Sequence, residues 1–144
     1  MKKVLIACVT SCIFLASPAM ARDDRLKFSI PDLLKTDKAK SALYDVPLYF
    51  ADQAFPKPLS KQSGITTNKK TSGFAKSDQE ACEWAFLSAI KALQERAQRD
   101  GMNAVVNITS NYKHKSFASK TEFECGAGNI MAGVALKADI VKLP

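Results

Sequence analysis

The sequence predicts an α+β domain of two layers, with one main helix packed on a largely antiparallel sheet of about three to five strands. Two observations carry this. Residues 77–101, SDQEACEWAFLSAIKALQERAQRDG, place apolar side chains at helical spacing between a start signal and a stop signal. From Ala104 onward the hydrophobic period switches to two, in three runs that each have one apolar face. A helix with one apolar stripe and strands with one apolar face are each incomplete, and each supplies the surface the other needs.

Taken in order, the chain opens with a targeting segment. Lys2 and Lys3 precede a mostly apolar run, Val4 to Ala16, and Ala19-Met20-Ala21 matches a small-residue cleavage site. This run is too short for a permanent membrane span, and no later segment is longer. Residues 1–21 are therefore expected to be a signal peptide cut after Ala21, which places the remainder in the periplasm or outside the cell. The 144-residue chain would then leave 123 residues, enough for one hydrophobic core. With Lys2 and Lys3 removed, 19 basic and 14 acidic side chains remain, net +5. The lysines are scattered over the chain, a pattern that fits a solvated surface better than a dedicated polyanion site.

Residues 22–42 are charged and mixed, with Pro31 suited to the first turn of a short helix, and little deep packing is expected there. Residues 43–144 read as one α+β domain. In Leu43 to Phe50 the apolar residues alternate, and Pro47 assigns this strand to an edge. Ala51 to Gly64, punctuated by Pro56, Pro58 and Gly64, reads as a surface loop. The β-branched Ile65, Thr66 and Thr67 suggest a further strand to Lys70. The main helix starts at a Ser77–Glu80 capping box and stops at Gly101. Its stripe is Cys82, Ala85, Phe86, Ala89, Ile90, Leu93 and Ala97. After it, Ala104, Val106, Ile108 and Tyr112 share one phase. Phe117, Phe123 and Cys125 share another, and Ala132, Val134, Leu136, Ala138 and Ile140 a third.

The two cysteines beyond the signal segment, Cys82 and Cys125, lie on the apolar stripe of the helix and the apolar face of a strand. Both point into the layer between helix and sheet, and an oxidising compartment favours a disulfide between them over two buried free thiols. Catalytic constellations are missing. The single histidine, His114, stands between Lys113 and Lys115 in a turn, without a carboxylate to orient its ring. No CxxC and no histidine pair suggests a metal centre. The run from Gly126 through Gly128 to Gly133 lacks the G-x-G-x-x-G spacing and precedes a strand, so no helix N-terminus receives a phosphate. These glycines are assigned to a turn and to close approach within the fold. Asn107-Ile108-Thr109 matches a glycosylation acceptor by chance inside a strand. Trp84, on the flank of the helix, either anchors a partner or covers the rim of the core, and Phe74 is placed as a lid on the helix start.

GMNAVVNITSNY and ECGAGNIMAGVALKADIVKL, together with DQEACEWAFLSAIKALQERA, resemble small exported bacterial proteins labelled "excinuclease ATPase subunit". The resemblance covers most of the chain from about Asp45 onward. The DNA-repair ATPase activity in that label is not expected here: the chain has no Walker motif and no zinc-finger cysteines, and it is too short. A more distant resemblance, a helix followed by Gly-x-Asn-Ala-Val-Val and strands, is to the α+β domain of YbjQ and RcsF type. That resemblance implies heavy-metal binding or envelope-stress sensing. RcsF, however, has four cysteines and a lipid anchor, against two cysteines beyond the signal segment here, where Val9-Thr10-Ser11-Cys12 only loosely resembles a lipobox.

The resulting expectation is a non-catalytic periplasmic or secreted domain for binding or envelope sensing, with no cofactor and no nucleic-acid partner. Its partner would be an envelope protein or ligand, and an open sheet edge could pair with a second copy. A second reading is a weak heavy-metal-binding or thiol-redox protein using Cys82 and Cys125. A third is polyanion binding through the lysines.

Overall fold

Two layers meet along the buried face of one long helix. In a computed structural model, residues 22–144 are described; the expected signal peptide, residues 1–21, lies outside them. The elements in chain order are β1 (Asp24–Ser29), α1 (Ile30–Leu34), α2 (Asp37–Ala42), β2 (Leu48–Phe50), β3 (Ser60–Ser72), α3 (Asp78–Arg99), β4 (Ala104–Ser110), a 3-10 turn (Tyr112–His114), β5 (Glu122–Ala127) and β6 (Met131–Lys142). Helix α3 begins where Ser77 Oγ accepts the Glu80 N–H at 3.1 Å. It ends in a Schellman motif: the Met102 N–H bonds to Ala97 O at 2.8 Å and the Gly101 N–H to Gln98 O at 3.2 Å. The chain turns away because Gly101 adopts φ +74°, which a side chain would oppose. Every residue of the expected stripe is buried, and Ala81, Leu87 and Gln94 widen it.

The sheet is built around β6. One of its edges pairs with β3 along almost its full length, from Ser72↔Met131 to Ser60↔Lys142. The other edge pairs first with β5, through Gly126↔Gly133 and Ala127↔Ala132, and then with β4, from Ser110↔Leu136 to Ala104↔Val141. Beyond these, β1 lies antiparallel on β5 and β2 lies parallel on β4. The α+β class and the main helix are as expected, but the sheet has six strands and one parallel pair. Both departures come from stretches with weak patterns. Residues 22–42, expected to pack little, supply β1 and two short helices that bury Ile30, Leu33 and Ala39. Each helix is capped by a side chain that a sequence search for long periodic runs passes over: Ser29 on Asp32 N, and Thr36 on Ala39 N.

Two further boundaries move. Ser60 to Gly64, read as loop, forms the first part of β3, where a bulge between Gln62 and Ile65 absorbs the glycine. The strand expected from Leu43 shrinks to Leu48–Phe50, because the buried Gln94 side chain takes over the backbone before it. Gln94 Oε1 accepts the Tyr44 N–H at 2.9 Å, and its Nε2 donates to Tyr44 O at 2.9 Å and Val46 O at 3.0 Å. Pro47 still reaches the sheet edge, its carbonyl accepting the Val105 N–H at 3.0 Å.

The phase of β4 differs from the expected one. Val105 and Ile108 enter the main core under α3, whereas Ala104 and Val106 face the other side, in a small cluster with Val141 and Phe55. The switch happens at Asn107, whose φ of +54° makes a bulge between Val106 and Thr109. Asp139 of β6 holds this bulge and the one in β3 together. Its carboxylate accepts Asn107 Nδ2 at 2.7 Å and the Gly64 N–H at 3.0 Å, with Lys61 Nζ at 3.4 Å. The Asn-Ile-Thr match is thus accounted for by bulge geometry. Phe123, Cys125 and the whole β6 phase do face the helix. Phe117 lies outside any strand, bridging to Ser110 and covered by Lys27 at 4.3 Å. Among the described residues no helix is long and apolar enough to cross a membrane.

Candidate functional site

Cys82 and Cys125 form a disulfide between α3 and β5, with Cα atoms 5.8 Å apart. Both residues are 0% exposed. The bridge therefore closes the interior between the layers, as the matching phases predict, and offers no sulfur to a solute. Trp84 is half-buried against the core, with Lys38 Nζ 5.5 Å from its ring. It thus lies at the rim of the core. Phe74 does not close the helix start; it is 82% exposed.

The other face of the sheet, away from α3, carries a recess with several convergent polar groups. Its centre is Tyr112, expected inside the core but carried to this outer face because β4 ends at Ser110 and the chain turns at Asn111 before reaching it. The tyrosine ring lies flat over paired glycines. A Cβ on Gly126 would sit 2.0 Å from Tyr112 Cζ, and one on Gly133 would be 3.6 Å from Cε2. The expected close approach of these glycines is real, and the approaching group is an aromatic ring rather than a helix or strand. Asp23 fixes the ring from outside, accepting the Tyr112 hydroxyl at 3.1 Å and bonding Lys113 Nζ. Arg25 stacks on the ring at 5.3 Å and pairs with the buried Glu124 at 2.9 Å.

Charge follows from these contacts. The Lys113 ammonium and then the Tyr112 hydroxyl hold the Asp23 carboxyl below its ordinary range. Burial, and then the bond to Asp23, push the Tyr112 phenol up, and Asp23 raises Lys113 in turn. At neutral pH the phenol keeps its proton and Lys113 its charge. Lys113 and His114 both take left-handed backbone, φ +51° and +60°, an unusual pair for residues with side chains.

Beside this tyrosine runs a groove of about 550 Å³ between the 3-10 turn and β3. Lys70, Lys113 and His114 line it with Asn68 and Asn111, over a floor that includes Ala135, and none of its lining residues is a carboxylate. That size falls within the range of small-molecule sites. Among the described residues no group of three or more His, Cys, Asp or Glu side chains comes together to hold a metal. Sequence reasoning placed His114 in an exposed turn and Lys113 beside it, but not Lys70 or Asn68 opposite them. The signal that would have found the groove is the pairing of a tyrosine with two glycines that face it from neighbouring strands.

No family model, no curated protein and no solved structure matches the chain.

Proposed function

We propose that this chain is an exported binding domain, not an enzyme, which takes a small anionic ligand into the groove beside Tyr112. The observation that carries the reading is the lining itself: two lysines and a histidine converge with no carboxylate among them. The acids nearest on this face are already engaged, Asp23 by Tyr112 and Lys113 and Glu124 by Arg25. The groove offers fixed donors and positive charge but no nucleophile paired with a base, which suits recognition better than bond chemistry. The fully buried disulfide supports an oxidising location, and it counts against the thiol-redox reading, which needs an accessible sulfur.

The test is site-specific photocrosslinking in living cells. A photoreactive residue replacing Asn68 at the groove should give a discrete adduct in the envelope fraction, and one replacing the exposed Ser88 on α3 should not. Equal adducts from both positions, or a protein retained in the cytoplasm with free thiols, would contradict the proposal.

A further inference from the structure

The tip of the sheet opposite the α3 C-terminus exposes three large apolar side chains together. Phe74 is 82% exposed, Ile130 71% and Met131 43%. Phe74 and Ile130 lie in two loops and Met131 opens β6, all tied together since the Gly73 N–H bonds to Ile130 O at 2.8 Å and Ser72 pairs with Met131. Phe74 and Ile130 thus project from neighbouring backbone at the end of the longest strand pair. Patches of this kind on an otherwise polar surface mark an interaction site.

The charges around it indicate what covers it. Lys69 and Lys70 lie just behind the tip on β3 and Lys76 just beyond Phe74, and none of the three pairs with an acid among the described residues. The carboxylates of Asp24 and Asp78 are both bonded to Arg22, which leaves Glu80 as the exposed acid of the first helical turn. Apolar side chains at the apex with ammonium groups set back from it match the layering of an anionic bilayer, acyl chains beneath phosphate headgroups. Arg22 lies against this tip, its carbonyl oxygen 3.2 Å from where a Cβ on Gly128 would be.

We infer that the Phe74–Ile130 tip is a membrane-facing surface that docks on anionic lipid. Phe74 and Ile130 enter the interfacial layer while Lys69, Lys70 and Lys76 meet the headgroups. This surface adjoins the groove, which Lys70 also lines, but it stands or falls without the groove's ligand.

The experiment uses protein recovered from the envelope of cells expressing the full chain, mixed with phosphatidylglycerol–phosphatidylcholine vesicles and with phosphatidylcholine alone. Saturable, salt-sensitive co-sedimentation with the anionic vesicles is expected. Phe74→Ser with Ile130→Ser should weaken it about tenfold or more, since burial of such side chains supplies the binding. Undiminished binding by that double variant, or no binding to any vesicle, overturns the inference. Equal binding to neutral vesicles overturns the anionic assignment. Self-association of the parent that the double variant loses would give the tip to a second copy instead. Should the double variant melt early, Phe74→Trp replaces it: its emission should shift to the blue on anionic vesicles and be quenched by brominated lipid. An unmoved emission refutes docking.

Discussion

Replacing Gly126 by alanine tests the arrangement at the centre of the outer face. The added Cβ would meet Tyr112 Cζ at 2.0 Å, Oη at 2.1 Å and Cε1 at 2.5 Å. Ordinary carbon contacts require about 3.5 Å, so the ring must move by more than about 1 Å. It can slide only by losing its seat on the glycine pair and its bond to Asp23. Overpacking of this kind costs about 1–3 kcal/mol, and the partly exposed hydrogen bond adds about 0.5–1 kcal/mol. Relief through a ring swinging into solvent caps the sum, and we expect about 2 kcal/mol. In the Tyr112→Ala background the same substitution should cost almost nothing, or stabilise by about 0.5 kcal/mol, because alanine is the better strand residue once the ring is gone. Urea unfolding of the four proteins in this cycle reads the coupling. A cost for Gly126→Ala that persists without Tyr112 would refute the contact as its cause.

Other outcomes follow from the same structure. Replacing Cys82 and Cys125 by alanine opens a loop of 44 residues, the separation of 43 counted with both ends. This should lower the unfolding free energy by about 4 kcal/mol in the chain-entropy model, read by thermal melts with and without reductant. Gln94→Leu leaves three backbone groups of Tyr44 and Val46 without partners, and should cost about 2–4 kcal/mol with m unchanged in denaturant titrations. Asp139 supplies a pH dependence. Burial alone would raise its carboxyl, but the Asn107 amide, the Gly64 N–H and Lys61 together bring it below its ordinary value of 3.8. The folded state thus binds this proton more weakly than the unfolded chain does. The stability from Asp139 is full above that ordinary value and is lost as pH falls through the lower folded value. Asp139→Asn should flatten this part of the acid limb of a stability–pH curve, and an unchanged limb would show that the two bulges do not depend on the carboxylate.

How much of this was legible in the sequence depended on the range of the interaction. The cap at Ser77, the stripe of α3 and the phase of β6 are local patterns repeated over many residues, and each stands where the periodicity puts it. The disulfide was readable because two such phases could be compared. The left-handed Asn107 was not, since one bulge residue inside a regular β-branched run changes no composition yet inverts every side chain on one side of it. Tyr112 was misplaced for a different reason: β4 ends at Ser110, and the turn that follows breaks the alternation before the tyrosine. Gln94 was equally silent: a polar residue beside an apolar stripe gives no sign that the backbone of Tyr44 and Val46 will come to meet it. The six-residue β1 and the short helices α1 and α2 depend on docking against α3 and β5, so their own sequence carries little of their stability.

The claim that recognition occurs on the face opposite the disulfide is tested most directly by amide chemical-shift mapping with inorganic phosphate and small dicarboxylates at constant ionic strength. The account predicts saturable shifts confined to Asn68, Lys70 and Asn111 to His114, weakened about tenfold by Lys70→Gln. Shifts centred on α3, or none that saturate, would contradict it.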